Sequence, residues 1–256
     1  MDRDEFIHLY KYRTLADPYG RKTAEDIVLH HRMFWQSPLE FNDPFDCDPV
    51  VVFGTNDTER RQWIRRVNGN SIGSTNRYQR RSKKRELENK TPAQHEALMR
   101  SAWRQWMQDS SVSCFSAVND HQLMWGHYAD SHRGVCFVFH EQIWHGEAWI
   151  GFDVTYSAER PIVNLVRVGE VEIMQNAILN KSNVWAYERE HRMVQWRVSP
   201  GIHEFPEAAL KGFILGARIS TDDRNFMMDL ARRRPHLQVW EAKCDQSLFR
   251  LNISRI

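Results

Sequence analysis

The sequence predicts a single α+β domain, and three observations support this fold class. Apolar segments with strand-like spacing are mixed with segments of helical periodicity, without strict alternation as βαβ units. A length of 256 residues suits one elaborated domain. Ten tryptophans and thirteen phenylalanines are enough to build a sizeable core. With 41% hydrophobic and 27% charged residues, the composition excludes a disordered chain, a collagen-like repeat and a coiled coil.

The first fifty residues contain short aromatic and apolar segments separated by turn signals. Thr23 is expected to cap a helix because Glu25 and Asp26 follow it, where the helix dipole favours acidic side chains. In order, the pattern predicts a strand at 9–13, a helix from Thr23 to about His30, a strand at 33–35, a turn-rich loop at 41–46 and a buried strand at 49–53.

Residues 54–108 differ from the rest of the chain in charge and in pattern. Between Thr55 and Arg104 there are 13 Lys and Arg against 5 Asp and Glu, a net charge of +8, whereas the other 206 residues sum to −6. The apolar periodicity is lost at first and returns at Thr91–Pro92, which predicts a helix start. We interpret 54–108 as a basic, partly helical insertion within the single domain.

The remaining residues return to a mixture of strands and helices, and the continuous apolar run Val135–Phe139 predicts a central strand. In order, the pattern predicts a strand at 112–115, a helix capped by Asn119–Asp120, strands at 135–139 and 150–156, a helix at 168–180, strands at 191–198 and 212–219, a helix capped by Thr221–Asp222 and a strand at 237–242.

The segment WAYEREHR at residues 185–192 contains two glutamates two positions apart. If the segment enters the strand that follows, Glu188 and Glu190 point to one face, about 6.5–7 Å apart. Such a pair suits chemistry at a glycosidic centre, where one carboxylate stabilises positive charge on the sugar and the other places the nucleophile. An exposed strand edge with Glu–Arg pairs would have the same pattern.

Two other strands carry polar side chains that could hold a ligand. Lys11 and Arg13 share a face beside Tyr12, and they could clamp a diphosphate or form surface salt bridges. Ser113 and Ser116 lie at a strand end, where their hydroxyls could bind a ribose or support a carboxylate, or simply end the strand. Along the chain, Tyr128 fits either the core or a stacking platform.

The basic insertion suggests a polyanionic partner, since lysine and arginine with aromatic neighbours bind single-stranded nucleic acid through phosphate contacts and stacking. A solvated surface loop is the alternative. The candidate nucleic-acid-binding residues are Arg80, Arg81, Lys83, Lys84 and Arg85.

Metal sites, disulfides and membrane segments are not predicted. Asp43 and Asp46 could ligate a metal, but the sequence NDPF is also typical of an Asx turn. The four cysteines are scattered without a CxxC pair. The chain starts with charged residues, and no apolar run approaches the roughly 20 residues of a membrane span. We therefore expect no membrane association and a reducing, cytoplasmic compartment.

Five motifs together resemble an uncharacterised family of bacterial proteins that is catalogued as a domain of unknown function. The resemblance covers roughly residues 8–53 and 112–216 and skips the basic insertion. The motifs are LYKYR, SPLEFNDPFD, SCFS, MWGHYADSHRGVCFVF and WAYEREHR.

The order of a basic residue on the first strand, a serine strand and then Glu-x-Glu is also similar to the arginine–serine–glutamate class of ADP-ribosyltransferases. This resemblance implies a split β-sheet fold and NAD as the bound substrate. It implies catalytic roles for Glu190, which would stabilise the oxocarbenium-like state, and for Glu188, which would position the acceptor. The NAD-binding residues that it implies, with their aromatic neighbours, are Lys11, Tyr12, Arg13, Ser113, Ser116 and Tyr128.

The function expected from the sequence is transfer of ADP-ribose from NAD to a nucleic-acid or protein acceptor, or NAD hydrolysis, in a toxin or defence role. One alternative is a nucleic-acid-binding module without catalysis. The other is a metal-dependent nuclease that uses Asp43, Asp46, Glu188 and Glu190. Convergence of Arg13, Ser113 or Ser116, and Glu190 in one cleft would favour the transferase. Convergence of the acids without Arg13 would favour the nuclease, and convergence of none of them the binding module.

Overall fold

A computed structural model describes residues 8–16, 18–52, 56–70, 76–140, 150–164, 170–196 and 198–256. Helix and strand make up 41% and 31% of the structure, so the prediction of an α+β fold is confirmed. The chain forms two compact units. Unit 1 comprises the described parts of Met1–Ser37, Ser110–Val154 and Val184–Ile256, and unit 2 those of Pro38–Asp109 and Thr155–Asn183.

The helices and strands are numbered in chain order. The strands are β1 (His8–Arg13), β2 (Arg32–Trp35), β3 (Val50–Val52), β4 (Ser111–Ser116), β5 (Val135–His140), β6 (Ile150–Asp153), β7 (Thr155–Ser157), β8 (Ile162–Asn164), β9 (Asn180–Ser182), β10 (Glu190–Gln195), β11 (Gly201–Glu204), β12 (Leu210–Leu215), β13 (Gln238–Cys244) and β14 (Leu251–Arg255). The helices are α1 (Pro18–His30), α2 (Asp57–Asn70), α3 (Arg77–Glu88), α4 (Pro92–Gln108), α5 (Gln122–Tyr128), α6 (Glu170–Ile178) and α7 (Thr221–Arg233).

An eight-stranded sheet forms the centre of unit 1, in the order β14-β13-β12-β5-β1-β4-β10-β6. Its neighbouring strands are antiparallel except for β12 and β13, which are parallel. The apolar run of β5 is buried along its whole length and pairs with β1 and β12, so the predicted central strand is confirmed. The sheet brings β1, β4 and β10 side by side, although they are far apart in the sequence.

Each face of this sheet packs against different helices. Apolar residues of β5 and β12 pack with α1 and α7 on one face, where Ile27 and Met227 are fully buried. On the other face Tyr12, Cys136 and Ile214 pack with Trp125 of α5. Burial of large side chains on both faces stabilises the sheet and holds its register.

Unit 2 contains α2, α3, α4 and α6 together with the parallel pairs β3–β8 and β7–β9. Trp63 and Ile64 of α2 pack with Leu87 of α3 and Met99 of α4 in a small apolar cluster. The predicted insertion at 54–108 lies within this unit and is helical over most of its described length. Among the described helices of the whole chain, none is both long and apolar enough to cross a membrane.

Helix boundaries follow the capping signals in one case and depart from them in others. Thr91 and Gln94 form a reciprocal capping box at the start of α4, as Thr91–Pro92 predicts. Helix α1 starts at Pro18 rather than at Thr23, whose hydroxyl donates to the Tyr19 carbonyl inside the helix. Proline at the first helical position is favourable because its missing N–H would be unpaired there.

Two other predictions of local structure were wrong. His121, and not Asn119 or Asp120, is the N-cap of α5; the carbonyl of Asn119 instead accepts from the indole of Trp125. The alternating segment 150–156 forms two strands that belong to different sheets. Strand β6 pairs with β10 in the sheet of unit 1, and the N–H of Val154 still bonds to the carbonyl of Glu190. The next residues form β7, which pairs with β9 in unit 2. Alternation alone cannot reveal such a change of sheet.

Candidate active site

Three neighbouring strands of the unit 1 sheet carry the polar side chains that the sequence singles out. Tyr10 of β1 lies opposite Ser116 of β4, and Ser116 lies opposite Glu190 of β10. Residues at one register of neighbouring strands point to the same face of a sheet. Tyr10, Ser116 and Glu190 therefore share the face that packs against α5.

Lys11, Arg13 and Ser113 point to the opposite face, towards α1 and α7, because side chains alternate along a strand. The structure therefore brings Ser116 together with Glu190 but places Arg13 and Ser113 on the other side of the sheet. The common cleft of Arg13, Ser113 and Glu190 that the transferase interpretation considered is not formed.

Glu190 and Arg192 form a buried ion pair on β10. Nε of Arg192 donates to Oε1 of Glu190 at 2.8 Å, and Nη2 donates to Oε2 at 3.0 Å. The Arg192 side chain is completely buried and that of Glu190 is 5% exposed. A bidentate pair of this kind fixes the orientation of the carboxylate. Half-buried Cys114 lies opposite Arg192, and burial next to Glu190 raises the pKa of its thiol, which disfavours a reactive thiolate.

Glu188 is also buried, with 3% of its surface exposed. The hydroxyl of Tyr128 on α5 donates to its Oε1 at 2.6 Å. The hydroxyl of Ser116 donates to its backbone carbonyl, also at 2.6 Å. These two contacts tie Glu188 to α5 and to β4, so its carboxylate has a defined position on the α5 face of the sheet. We call Tyr128, Glu188, Glu190 and Arg192 the glutamate site.

The backbone before β10 is not extended, contrary to the arrangement considered from the sequence. A 3-10 helix covers Asn183–Glu188, and Arg189 follows it with a φ of 42°. A non-glycine residue in this left-handed region is uncommon and costs on the order of 1 kcal/mol. The carbonyl of Arg189 accepts from the N–H of Ala117 at 2.9 Å, which helps to hold the turn. Both glutamates nevertheless end up buried in the same unit.

Aromatic rings cluster beside Tyr128, whose hydroxyl binds Glu188, and the ring of His127 lies 6.2 Å from that of Tyr128. Trp185 and Tyr187 of the 3-10 helix lie 6.1 Å apart, and His127 lies 6.4 Å from each of them. His121 stacks on Tyr187 at 5.1 Å with an interplanar angle of 18°. Trp185, Tyr187 and His121 are half-buried, while His127 is exposed. The cluster therefore presents aromatic surface to solvent close to a buried carboxylate.

Lys11 closes the space between β1 and β4 on the other face of the sheet. Its ammonium donates to Oγ of Ser113 at 2.8 Å and to the carbonyl of Cys114 at 2.9 Å. Burial, together with the nearby charge of Arg13, lowers the pKa of Lys11 well below its ordinary value, although Glu190 acts in the opposite direction. These contacts commit both Lys11 and Ser113 to the interior of unit 1.

Tyr12 and Arg13, the other two residues of β1 assigned to NAD, differ in accessibility. Tyr12 is 3% exposed and its hydroxyl donates to the carbonyl of Val118, so it belongs to the core. Arg13 is half-buried and its Nη1 donates to the Tyr12 carbonyl at 3.3 Å. Within the part of the chain that the structure describes, Arg13 forms no ion pair.

The aspartates considered as metal ligands lie in unit 2, whereas Glu188 and Glu190 lie in unit 1. The Asp43 carboxylate accepts from the N–H of Phe45 at 2.9 Å, as in an Asx turn, and Asp46 pairs with Lys181 at 3.7 Å. Among the described residues, no group of three His, Cys, Asp or Glu side chains could hold a metal ion. The nuclease alternative stays a prediction.

The predicted nucleic-acid-binding residues all lie on α3 in unit 2. Arg81, Lys83 and Arg85 are exposed, whereas Arg80 and Lys84 are half-buried. The helix is well defined by a capping box between Asn76 and Gln79.

Sequence reasoning missed two parts of the site. Arg192 was not recognised as the partner of Glu190, although side chains two apart on a strand share a face. The ring cluster was also missed, although Trp185 and Tyr187 stand directly before Glu188. The rings supplied by α5 could not be associated with them without knowing the order of strands in the sheet.

Comparison with known families matches residues 124–193 to a family described as "Protein of unknown function (DUF2971)". This confirms the predicted resemblance to an uncharacterised family, and the matched segment contains most of α5 and all four residues of the glutamate site. The same comparison gives no support to the resemblance to ADP-ribosyltransferases. No curated protein and no solved structure matches the chain.

Proposed function

We propose that unit 1 binds NAD and cleaves the bond between its nicotinamide and ribose, with transfer of ADP-ribose to an acceptor or to water. The observation that carries this proposal is the position of Glu188. Glu188 is buried, its carboxylate is oriented by Tyr128, and the Tyr128 ring adjoins a cluster of aromatic rings. A fixed carboxylate in a site that excludes water stabilises positive charge developing on a sugar.

The reaction begins when the bond between C1′ of the ribose and the nicotinamide nitrogen breaks. The electron pair of that bond leaves with nicotinamide, and C1′ becomes positively charged. Glu188 would stabilise this oxocarbenium-like state, and the acceptor or water then forms the new bond to C1′. The proton released by that nucleophile would pass to the Glu188 carboxylate.

The aromatic cluster suits the leaving group. Nicotinamide in NAD is a planar, cationic ring, and such rings stack favourably on tryptophan and tyrosine. Trp185 and Tyr187 lie just before Glu188 in the sequence and present half-buried rings whose centroids are 6.1 Å apart. They would bind the ring while the carboxylate acts at C1′.

Glu190 and Ser116 would act as positioning residues in this scheme. Both oxygens of Glu190 are bound by Arg192, and Ser116 holds the backbone of Glu188. The catalytic role that the resemblance implies for Glu190 stays a prediction, but the geometry favours Glu188 as the group that faces the reacting sugar.

A cavity of about 310 Å³ on the α5 face could hold the rest of the dinucleotide. Tyr10, Trp240 and Lys211 are among its lining residues, so it offers ring surface for a base and a cation for a diphosphate. On this face Lys211 would bind the diphosphate of NAD, the role that the resemblance assigns to Arg13. The proposal includes an ADP-ribosyltransferase-like split architecture, in which the short pairing of β1 with β4 at Tyr10–Ser116 would mark the division of the continuous eight-stranded sheet.

Calorimetric titration of NAD into the full chain tests the binding part of the proposal. Trp185→Ala and Trp240→Ala should each weaken NAD binding by roughly tenfold, because each removes a stacking surface. Phe249→Ala is the matched control, since this ring is 100% exposed and is not one of the described residues that line the cavity. Absence of NAD binding to the wild type, or equal affinities in all four proteins, would overturn the proposal.

A further inference from the structure

Helix α3 exposes a column of arginines on one face. Arg77, Arg81 and Arg85 are spaced by four residues, so they lie within a narrow arc of the helix surface. Tyr78 falls on the same side, within about 100° of Arg77. Leu87 lies on the opposite side and packs into the apolar cluster of unit 2. We call Arg77, Tyr78, Arg81 and Arg85 the arginine face.

Among the described residues, none supplies a counter-ion to the arginines of this face. Arg77, Arg81 and Arg85 are exposed, and their side chains form no hydrogen bond or ion pair with any residue that the structure describes. The acidic residues of α3 are engaged elsewhere. Glu88 pairs with Lys84 at 3.5 Å, and Glu86 pairs with Lys90 at 3.0 Å.

Three like charges at this spacing destabilise the helix that carries them. The repulsion between these arginines is relieved when a chain of negative charges lies along the column. From Arg77 to Arg85 the helix rises about 12 Å, a length over which a stacked strand carries three or four phosphates at about 3.4 Å each. The charge and the spacing of the column are therefore complementary to a nucleic-acid backbone.

The exposed ring of Tyr78 favours single-stranded over double-stranded nucleic acid as the ligand of the arginine face. Its side chain is 80% exposed, although the helix has an apolar face on the other side. Exposed aromatic rings next to arginines stack on bases, and only unpaired bases offer their faces for stacking. In a duplex these faces are already covered by neighbouring base pairs.

We propose that the arginine face of α3 binds single-stranded nucleic acid, with the three arginines on phosphates and Tyr78 stacked on a base. This binding does not depend on cleavage of NAD. It can be measured without NAD, and its failure would leave the proposed function of unit 1 unaffected.

Fluorescence anisotropy with labelled single- and double-stranded oligonucleotides of 12 nucleotides tests the proposal across a salt series. The wild-type chain should bind the single strand more tightly, with affinity falling steeply as salt rises. The variant R77Q/R81Q/R85Q should lose the tight binding, and the slope of log affinity against log salt should fall by about two, from roughly 0.7 per lost phosphate contact. Tyr78→Ala should weaken binding about tenfold while keeping the slope.

The matched control is K83Q/K84Q/K90Q, which removes the same number of positive charges from other positions of the same region. It should keep most of the affinity and most of the slope, and circular dichroism should show equal helix content in all variants. No binding by the wild type at low salt overturns the proposal. Equal losses in the two triple variants, or a duplex preference unaffected by Tyr78→Ala, overturn it as well.

Discussion

The glutamate site and the arginine face handle charge in opposite ways. In the glutamate site the charged groups are buried and bonded to each other or to hydroxyls, as in the pairs Glu190–Arg192 and Glu188–Tyr128. On the arginine face the charges are exposed, and the described residues supply no counter-ion. The charges of the first arrangement are neutralised within the fold, whereas those of the second are left exposed to solvent.

This difference indicates what each region can do. A buried charge must be paired, because leaving it alone in the interior costs several kcal/mol. Such pairing holds a carboxylate in one orientation, which is what a reaction at a sugar carbon needs. An exposed column of like charges costs little and keeps its cations available for a polyanion. The comparison can be tested by changing single charges in each region.

The largest effect is expected from Glu190→Gln. This change leaves the guanidinium of Arg192 buried without its carboxylate, so the free energy of unfolding should fall by about 3–5 kcal/mol. Urea denaturation at pH 7 measures it. The double variant E190L/R192M removes both charges and should recover a substantial part of the loss. A Glu190→Gln protein within 1 kcal/mol of the wild type would show that the pair is not a closed, buried unit.

A smaller effect is expected from pH through Lys11. The pKa of Lys11 is lowered in the folded protein, while an unfolded lysine titrates near 10.4. Between these two values the unfolded chain binds more protons, so the free energy of unfolding should rise with pH. Relative to Lys11→Met, the wild type should gain up to about 1.4 kcal/mol per pH unit as the pH rises towards the unfolded pKa of about 10.4. Parallel curves for the two proteins would contradict this interpretation of Lys11.

The smallest effect is expected on the arginine face in the absence of a ligand. Arg81→Gln removes two like-charge pairs, with Arg77 and Arg85, and should stabilise the protein by about 0.4–1 kcal/mol at low salt. The gain should disappear at 1 M salt, where the screening length is about 3 Å. Thermal denaturation of Arg81→Gln at low and high salt measures this gain. Lys83→Gln is the control, because position 83 has no arginine four residues away. Stabilisation that persists at high salt would argue against repulsion as the cause.

Parts of the fold could be predicted because local signals there agree with the tertiary structure. The apolar run at 135–139 is buried on both faces and marks the central strand. Thr91–Pro92 begins a helix because both capping and proline geometry act within one turn. The start of α1 was wrongly predicted at Thr23 because Glu25 and Asp26 are typical of the first turn of a helix. The helix begins five residues earlier, at Pro18.

The site was predicted only in part, for physical reasons. The sequence places Glu188 and Glu190 close together, but the turn at Arg189 is held by a hydrogen bond from the N–H of Ala117, the residue that follows β4. Tyr128 reaches Glu188 only because the sheet packs α5 beside it. The net charge of the insertion was visible, whereas its arginine face requires the exact start and end of α3.

Release of nicotinamide from NAD is the measurement that tests the central claim most directly. Wild-type protein, Glu188→Gln and the exposed control Glu159→Gln are incubated with NAD, with and without added oligonucleotide, and free nicotinamide is quantified. The account predicts release by the wild type and by Glu159→Gln, and a loss of roughly 10²-fold or more in folded Glu188→Gln. Unchanged release by folded Glu188→Gln, or no release by the wild type, would contradict it.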